Sequence, residues 1–358
     1  MPASAHDRVT LVSAKADGTP GNSPSTFGLS ITADGGTIAF ASAARNLVEA
    51  DADRAVDDYA KRVDAGKLTL VSTSSTGTKA SALSLRPVID GTGRRVAFLS
   101  VADDLDPQDT DGFPDVFVKD LVTGRLTLVT SGPEGRKANA GSGAVDLSAD
   151  GRRVAFTTSA NSLLPEDADS AVDVYVKDLE SGPLWLTSRN AEGTRAPIGN
   201  VGTGQPQLSA DGSRVASTRT RRWWLRTRTN APDIYLKDLT TGERVLGSVS
   251  RDEFNSPRGS HRPSMSADGY IVAFDSFLGD LTPEDTSGDN DVNVKDLRTG
   301  SLAVAASSAA GVKANSRSTA ASVSGDGTRV AFSSDAGLTP LALPGTLHTY
   351  VKDLVTGM

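Results

Sequence analysis

The chain has 358 residues, and its 37 Lys and Arg against 44 Asp and Glu give a formal net charge of −7 at pH 7. A net negative chain gains little from the counterion release that favours binding to a phosphate backbone, so nucleic acid is not an expected partner. The absence of cysteine excludes disulfides, thiolate metal ligands and cysteine nucleophiles, and without an apolar run of about 18 residues we expect no membrane span.

The first six residues read Met-Pro-Ala-Ser-Ala-His. Small residues of this kind are typical of the stretch that follows signal-peptidase cleavage, so we expect a mature extracellular or periplasmic protein. A cytoplasmic protein with a short irregular start is the alternative interpretation. The next segment, Arg8–Ser13, reads Arg-Val-Thr-Leu-Val-Ser and closely matches Arg125–Thr130, which indicates that it is a strand of a repeated unit.

Two sequence blocks recur six times along the chain. The first is typified by Leu147–Phe156 (Leu-Ser-Ala-Asp-Gly-Arg-Arg-Val-Ala-Phe), and its copies end 57 to 61 residues apart. The second is typified by Asp173–Gly182 (Asp-Val-Tyr-Val-Lys-Asp-Leu-Glu-Ser-Gly). The other copies of the first block are Ile31–Phe40, Ile89–Phe98, Leu208–Ser217, Met265–Phe274 and Val323–Phe332, and those of the second begin at Asp57, Asp115, Asp233, Asp291 and His348. Self-similarity at a nearly fixed period indicates a repeat architecture.

Each repeat reads as four strands. A short first strand ends at an Ala-Asp-Gly turn, where Asp bonds its own backbone and Gly accepts positive φ. The second and third strands carry β-branched and aromatic residues, and a Thr-Gly or Ser-Gly turn leads to a fourth strand such as Leu126–Thr130. Four antiparallel strands repeated six times predict an all-β fold, a six-bladed β-propeller that forms a single domain over residues 1–358. Because the sixth repeat lacks a fourth strand, we expect the N-terminal strand, residues 7–13, to complete it and close the ring.

The consensus Ser-Ala-Asp-Gly-x-x-Val-Ala-Phe, followed by Asp-Val-Tyr-Val-Lys-Asp-Leu-x-x-Gly, resembles the TolB-type, WD-like propeller repeat over essentially the whole chain. The resemblance implies a propeller, and TolB itself is a periplasmic protein whose propeller docks onto a lipoprotein. Similar propellers occur in secreted bacterial proteins, in front of prolyl-oligopeptidase-like peptidases and in some polysaccharide lyases, so the resemblance leaves the function open. The sequence departs from TolB in showing no separate N-terminal α/β domain.

The loop between the second and third strands carries the pattern Asp-x-Asp/Ser-x-x-x-Asp in four repeats. Carboxylates at this spacing on a turn supply several oxygens to one Ca²⁺, which takes six to eight of them, so calcium is the candidate metal. The alternative is that these Asp residues shape the turn and hydrogen-bond backbone groups of a neighbouring blade. The candidate ligands are Asp51, Asp53, Asp57, Asp109, Asp111, Asp115, Asp167, Asp169, Asp173, Asp285, Asp289 and Asp291.

Repeats four and six lack the acidic set. In repeat four, residues 218–228 read Thr-Arg-Thr-Arg-Arg-Trp-Trp-Leu-Arg-Thr-Arg, and Ser217 stands where the other repeats have Phe. A Trp pair flanked by arginines on the loop face suits sugar stacking, an anionic ligand or a protein contact. Alternatively, one Trp fills the space of the missing Phe, and the arginines pair with neighbouring acidic loops. The candidate ligand-binding residues are Trp223, Trp224, Arg221, Arg222 and Arg226, together with Gln205, Gln207, His261 and Arg262 on or just before the innermost strands.

The sequence assigns no catalytic residue. It has three histidines, His6, His261 and His348, and no Gly-x-Ser-x-Gly nucleophile motif. We therefore expect a monomeric, secreted or periplasmic module that binds a protein or glycan ligand at the loop face. The alternative is an enzyme, a lyase or hydrolase of a carbohydrate or small molecule, with His261, Arg262, Gln207 and an acid converging at the mouth of the central channel. A third interpretation is a purely structural repeat domain of a larger protein. For Gln205, Gln207, His261 and Arg262 the alternative is that they line the channel and hold water.

Overall fold

The computed structural model describes residues 10–25, 28–188, 206–220, 232–248, 259–277, 288–308, 312–339 and 348–354, with the backbone alone for residues 219 and 220. Within these ranges the chain forms 23 β-strands in six antiparallel sheets, which follow one another along the sequence and are numbered blades 1 to 6. The same ranges contain no helix, and hence none of the length and apolarity that a membrane span requires. The six successive sheets confirm the predicted six-bladed, all-β architecture.

Blades 1 to 5 each have four strands that neighbour one another in chain order, and blade 6 has three. Blades 1 to 3 consist of β1 (Leu29–Ile31), β2 (Thr37–Ser42), β3 (Asp57–Arg62), β4 (Leu68–Leu70), β5 (Ser84–Ile89), β6 (Arg95–Ser100), β7 (Asp115–Asp120), β8 (Leu126–Leu128), β9 (Ser142–Leu147), β10 (Arg153–Thr158), β11 (Asp173–Asp178) and β12 (Leu184–Leu186). Blades 4 to 6 consist of β13 (Gln207–Leu208), β14 (Arg214–Thr220), β15 (Pro232–Asp238), β16 (Arg244–Leu246), β17 (Ser260–Met265), β18 (Ile271–Ser276), β19 (Asp291–Asp296), β20 (Leu302–Val304), β21 (Ser318–Val323), β22 (Arg329–Ser334) and β23 (His348–Asp353).

The turn between the first and second strands is built by the Ala-Asp-Gly motif. In blade 3, the Ser148 hydroxyl donates to Asp150 Oδ1 (2.5 Å), and the same oxygen accepts the Arg152 amide (2.9 Å). Gly151 has a φ of 69°, and a Cβ at this position would collide with the Asp90 carboxylate of blade 2. Glycine is therefore required both by the backbone conformation and by the close approach of the neighbouring blade.

Apolar side chains of the second and third strands pack between adjacent blades. Phe156 and Tyr175 of blade 3 stack with their ring centroids 5.6 Å apart, and they belong to one buried cluster with Val116 and Val118 of blade 2. The first strands of successive blades also contact one another, from β1 through to β21. The innermost strands therefore run side by side, as they must in a propeller in which each sheet buries its faces against its neighbours.

A lysine on the third strand ties a blade to the turn that ends the previous blade. Lys119 Nζ donates to the carbonyl oxygens of Thr73 (3.0 Å) and Ser74 (2.8 Å). Lys177 Nζ donates to the carbonyl oxygens of Val129 (3.0 Å) and Ser131 (2.8 Å). A buried ammonium group is costly unless it is hydrogen-bonded, so each lysine is stable only when the neighbouring turn is correctly placed.

The N-terminal turn takes the same place in front of blade 1. Lys61 Nζ donates to the carbonyl oxygens of Ala14 (2.6 Å) and Lys15 (3.1 Å). Ala14 forms an antiparallel bridge with Pro20, as Thr73 does with Lys79 after strand β4. The turn over residues 14–20 is therefore the structural equivalent of the turns that follow fourth strands. This equivalence supports, without confirming it, the prediction that the preceding residues act as a fourth strand.

Closure of the ring by the N-terminal strand is not confirmed. Residues 7–9 lie outside the described ranges, and residues 10–13 are described without forming a strand. Within the described chain, β23 pairs with β22 alone, and Val351 on β23 is 66% exposed. Closure by residues 7–13 and the single-domain organisation over residues 1–358 stay predictions.

Deletion of residues 1–13 tests the closure. If these residues pair with β23, their loss leaves an open strand edge and uncovers the apolar face of blade 6. We expect the midpoint of thermal unfolding to fall by about 5 °C or more. A deletion of residues 1–6 alone is the control and should leave the midpoint unchanged. An unchanged midpoint for the longer deletion would show that the N-terminal strand does not close the ring.

Candidate functional site

The first two predicted acidic clusters each surround a lysine ammonium group. In blade 1, Lys79 Nζ lies 2.9 Å from Asp53 Oδ2, 2.8 Å from Asp57 Oδ2 and 3.8 Å from Asp51 Oδ1. Lys79 follows β4 in the segment that leads to blade 2, and it bridges to the loop between β2 and β3. The acidic loop of blade 1 is therefore tied to the connection between blades by a charge network in which Asp51 and Asp57 are buried and Asp53 is exposed.

Blade 2 repeats this arrangement. Lys137 Nζ lies 2.7 Å from Asp111 Oδ1, 2.8 Å from Asp115 Oδ2 and 3.2 Å from Asp109 Oδ1. The Thr130 hydroxyl donates to Asp115 Oδ1 (2.5 Å), so both oxygens of that carboxylate have a partner. Burial raises the pKa of Asp115 to about 6, because one ammonium shared by three carboxylates does not fully offset the loss of hydration. The pKa of Lys137 is raised by hydrogen bonds and attraction to the three carboxylates, which outweigh its burial.

Blades 3 and 5 carry the remaining predicted metal ligands. Carboxylate oxygens of Asp167, Asp169 and Asp173 lie within 4.8 Å of one another, and the Tyr175 hydroxyl donates to Asp167. In blade 5, Lys313 Nζ lies 2.7 Å from Asp291 Oδ2. Among the described residues, Asp289 and Asp291 are not part of a group of three carboxylates. Asp285 lies outside the described residues.

The lysine is the part of this arrangement that the sequence reasoning missed. Lys79, Lys137 and Lys313 each stand 22 residues after the last Asp of their acidic loop, so the signal was present as a fixed spacing. The clusters have the oxygen geometry of a metal site, yet in blades 1 and 2 an ammonium group already lies among the carboxylates. These two clusters consequently act as buried ion-pair networks that fasten a loop.

A second polar cluster lies at the start of β17 in blade 5. The strand pairing shifts between His261 and Ser264, and Arg262 in this bulge has a φ of 52°. Arg262 Nη1 donates to Thr319 Oγ1 on β21 of blade 6 (2.7 Å) and lies 3.4 Å from Asp275 Oδ2. The bulge therefore aims the guanidinium group across the junction between blades 5 and 6, as bulges do where they redirect a side chain.

Asp275 anchors this cluster and was not predicted from the sequence. Its side chain is only 3% exposed, against 62% for that of Arg262, and Thr319 Oγ1 donates to its Oδ2 (2.6 Å). Burial raises its pKa, while Thr319 and Arg262 oppose the shift. The signal was a departure from the repeat, because the residue after the conserved Phe position is uncharged in every other blade. The corresponding residues are Ala41, Leu99, Thr157, Thr218 and Ser333.

His261 pairs with Asp275 across the two strands and is half-buried. Its burial lowers the pKa of the imidazole, with Asp275 acting in the opposite direction. The imidazole is therefore mainly neutral at pH 7. The exposed part of the cluster thus offers a fixed guanidinium group beside a neutral imidazole, backed by a buried carboxylate.

Gln207 lies at a different level of the innermost strands. It pairs with Ala216, the register position that Ser264 takes in blade 5. The Ser264 hydroxyl accepts the Val323 amide of blade 6 (3.0 Å), so this level serves contacts between blades. The structure brings His261 and its sequence neighbour Arg262 close to Asp275. Gln207 takes the position of Ser264, three residues further along the innermost strand than His261.

The Trp-Arg loop and Gln205 fall outside the described residues, including Trp223, Trp224, Arg221, Arg222 and Arg226. The strands that flank this loop are described: Thr220 at the end of β14 pairs with Pro232 at the start of β15. In blade 5 the equivalent second strand, β18, ends at Ser276, which pairs with Ser260 at the start of β17. The loop of blade 4 and the cluster of blade 5 are therefore attached at the same end of adjacent blades.

Substitution of Lys137 by Met tests the ion-pair network in blade 2. Removing the ammonium leaves Asp109 and Asp115 buried without a compensating charge, so we expect the free energy of unfolding to fall by about 3–5 kcal/mol. Chemical denaturation measures this change. Lys67→Met, at an exposed position, is the control and should stay within about 0.5 kcal/mol of the parent. Equal effects of the two substitutions would contradict a structural role for the cluster.

The fold is shared with solved propeller structures, although no protein-family model and no curated protein matches the chain. The β-propeller domain of the Trilobed protease from Pyrococcus furiosus, which has an open velcro topology, is 13% identical, with 94% of this chain and 82% of that chain covered and a TM-score of 0.56. An oligogalacturonate lyase in complex with manganese is 14% identical, with coverages of 94% and 79% and a TM-score of 0.53. TolB from Acinetobacter baumannii is 17% identical over 79% of this chain with a TM-score of 0.44, and the chain spans 57% of its length. These likenesses concern the fold alone, and those to the protease propeller and the lyase, with TM-scores above 0.5, confirm that the predicted β-propeller is the fold of the chain.

Proposed function

We propose that the chain is a secreted or periplasmic binding module that holds a protein or glycan ligand at the loop end of blades 4 to 6. The observation that carries this proposal is the cluster of Arg262, Asp275, His261 and Thr319. Its guanidinium group is exposed to a ligand, yet it is held by a threonine hydroxyl at 2.7 Å and faces a nearly buried carboxylate. A side chain fixed in this way loses little freedom on binding, which favours affinity.

The cluster also indicates the chemistry of the ligand. An Arg side chain presents planar N–H donors that match carboxylate and phosphate groups, and charge-assisted hydrogen bonds of this kind are the strong ones. The proposed ligand therefore presents an acidic group to Arg262, with sugar or aromatic surface reaching the Trp-Arg loop at the same end of blade 4. Acidic glycans meet both requirements, as do acidic protein segments.

Substitution of Arg262 by Gln tests this site, with trigalacturonate as the acidic probe and maltotriose as its neutral counterpart. If the parent protein binds the acidic probe, we expect the variant to bind it about 10-fold or more weakly by titration calorimetry, because a charge-assisted contact is lost. Trp223→Ala/Trp224→Ala should weaken binding of the same probe.

Arg86→Gln is the matched control for this experiment. Arg86 occupies the same bulge in blade 2, with a φ of 60°, and its Nη1 donates to the Gly143 carbonyl of blade 3 (2.9 Å). It lacks the buried carboxylate, so its loss should leave binding unchanged. No binding of the acidic probe by the parent, or equal losses in the two variants, would count against the proposed site.

An enzyme at the same place is the second candidate function, and His261 is the observation that favours it. A neutral imidazole next to a buried carboxylate is able to accept a proton from a bound substrate. In that case the acidic probe is converted rather than only bound, and His261→Gln stops its conversion while leaving binding in place. Product analysis of the same incubation therefore separates a binding module from an enzyme.

Calcium binding at the acidic loops remains part of the proposal, in a restricted form. In blades 1 and 2, Ca²⁺ and the lysine ammonium group compete for the same carboxylate oxygens, so the parent clusters there should bind Ca²⁺ weakly. The same competition applies in blade 5, where Lys313 Nζ lies 2.7 Å from Asp291 Oδ2. Calorimetric titration of chelator-treated protein measures whether any of the four acidic loops binds Ca²⁺. The Lys137→Met variant, in which the ammonium is gone, shows whether the blade 2 carboxylates are able to take the ion.

A further inference from the structure

Asn290 differs from the residues that precede the third strand in the other repeats. Those residues are all apolar: Val56, Pro114, Val172, Pro232 and Leu347. Asn290 is nevertheless only 5% exposed. Burying an amide costs free energy unless the amide is hydrogen-bonded, so the bonds of this side chain indicate what the residue does.

Asn290 is fastened to Ser318, at the start of β21 in blade 6, by two hydrogen bonds. Its backbone carbonyl accepts the Ser318 amide (2.6 Å), as the Pro114 carbonyl accepts the Ser142 amide (2.7 Å) between blades 2 and 3. The Asn290 side chain adds a second bond, from Nδ2 to the Ser318 carbonyl oxygen (3.0 Å). Because a peptide unit is planar, fixing the Ser318 carbonyl also fixes the nitrogen of Thr319.

Thr319 is the residue that holds the polar cluster of blade 5 in place. Its Oγ1 accepts a hydrogen bond from Arg262 Nη1 (2.7 Å) and donates one to Asp275 Oδ2 (2.6 Å). The next residue, Ala320, has a φ of 59°, in a region that non-glycine residues rarely adopt. A backbone of this kind persists only where its surroundings hold it, and the two bonds from Asn290 supply part of that support.

We propose that Asn290 is a positioning residue of this site, which holds the start of β21 so that Thr319 fixes the direction of the Arg262 guanidinium group. Asn290 is nearly buried and acts through Ser318 and Thr319 rather than by touching a ligand. Without its side chain, the Thr319 hydroxyl and the guanidinium group gain freedom that a ligand then has to remove, which lowers affinity. The effect on binding rests on the proposed function, whereas the effect on Arg262 exists without a ligand.

Asn290→Val tests the positioning role in the free protein, because Val56 and Val172 show that the repeat accommodates valine at this position. The steady-state ¹H–¹⁵N NOE of the Arg262 Nε–H group, identified as the signal that Arg262→Gln removes, reports the motion of the guanidinium group. We expect this NOE to fall in Asn290→Val. Val56→Ala, at the same position of blade 1, is the matched control and should leave it unchanged.

Binding of trigalacturonate provides the second measurement. We expect Asn290→Val to bind this probe about 2- to 10-fold more weakly than the parent. In protein that already carries Arg262→Gln, the same change should have no further effect, because it acts through Arg262.

The two measurements separate the positioning role from the proposed function. If the parent does not bind trigalacturonate, the proposed function fails, while the NOE still decides the role of Asn290. An unchanged NOE in folded Asn290→Val protein, or an equal fall in Val56→Ala, would overturn the positioning role. If Asn290→Val does not fold, Asn290→Ser takes its place in both measurements.

Discussion

In blades 2 and 3, the hydrogen bonds from a third-strand lysine to the turn of the preceding blade are the interaction on which the arrangement of blades depends. Hydrophobic burial covers the faces of adjacent sheets, but it is non-directional and does not by itself set how one sheet sits on the next. Lys119 and Lys177 supply that direction, because each ammonium group must find carbonyl oxygens at 2.8 to 3.0 Å once it is removed from water. The N-terminal turn enters the same scheme through Lys61 and the carbonyl of Ala14. The start of the chain is thereby placed as if it followed a blade.

The turns that accept these hydrogen bonds also contact the acidic loops. Lys79 and Thr73 form an antiparallel β-bridge, and the Thr73 carbonyl accepts a hydrogen bond from Lys119. The Lys79 ammonium group forms ion pairs with Asp53 and Asp57. A single turn is consequently held by one lysine from the next blade while it sends another lysine into its own blade. Loss of the Lys79 contact leaves the Asp57 carboxylate buried without its counter-charge, and loss of the Lys119 contact leaves a buried ammonium group without its hydrogen bonds. Because both contacts involve one turn, the two should respond together.

Much of the fold could be predicted from the sequence because the same pattern of strands and turns recurs six times. Patterns formed by residues close together in the sequence are recognised from the sequence alone. Such patterns include the Ala-Asp-Gly turn, the apolar alternation of the second strand and the four-strand unit. The partner of the acidic loops was not predicted, because Lys137 follows Asp115 by 22 residues and only the hairpin brings them together. Asp275 was missed for a related reason: a single carboxylate inside a strand has no motif, and its meaning comes from Arg262 and Thr319 on two other strands. Ring closure was not settled by the sequence, because it requires residues 7–13 to pair with β23 at the other end of the chain.

The departures from the repeat fall in consecutive blades, and this distribution bears on where function resides. Blades 1 to 3 keep the aromatic pair of the second and third strands, as in Phe98 stacked on Phe117. Blade 4 replaces the first ring with Ser217, and blade 5 replaces the second with Asn293, which is fully buried. Each replacement gives up apolar contact that the neighbouring blades retain, and such a cost persists only where another requirement is met. Blades 1 to 3 then act as a regular scaffold, and the polar cluster of Arg262, Asp275, His261 and Thr319 lies in the blades that depart from the repeat.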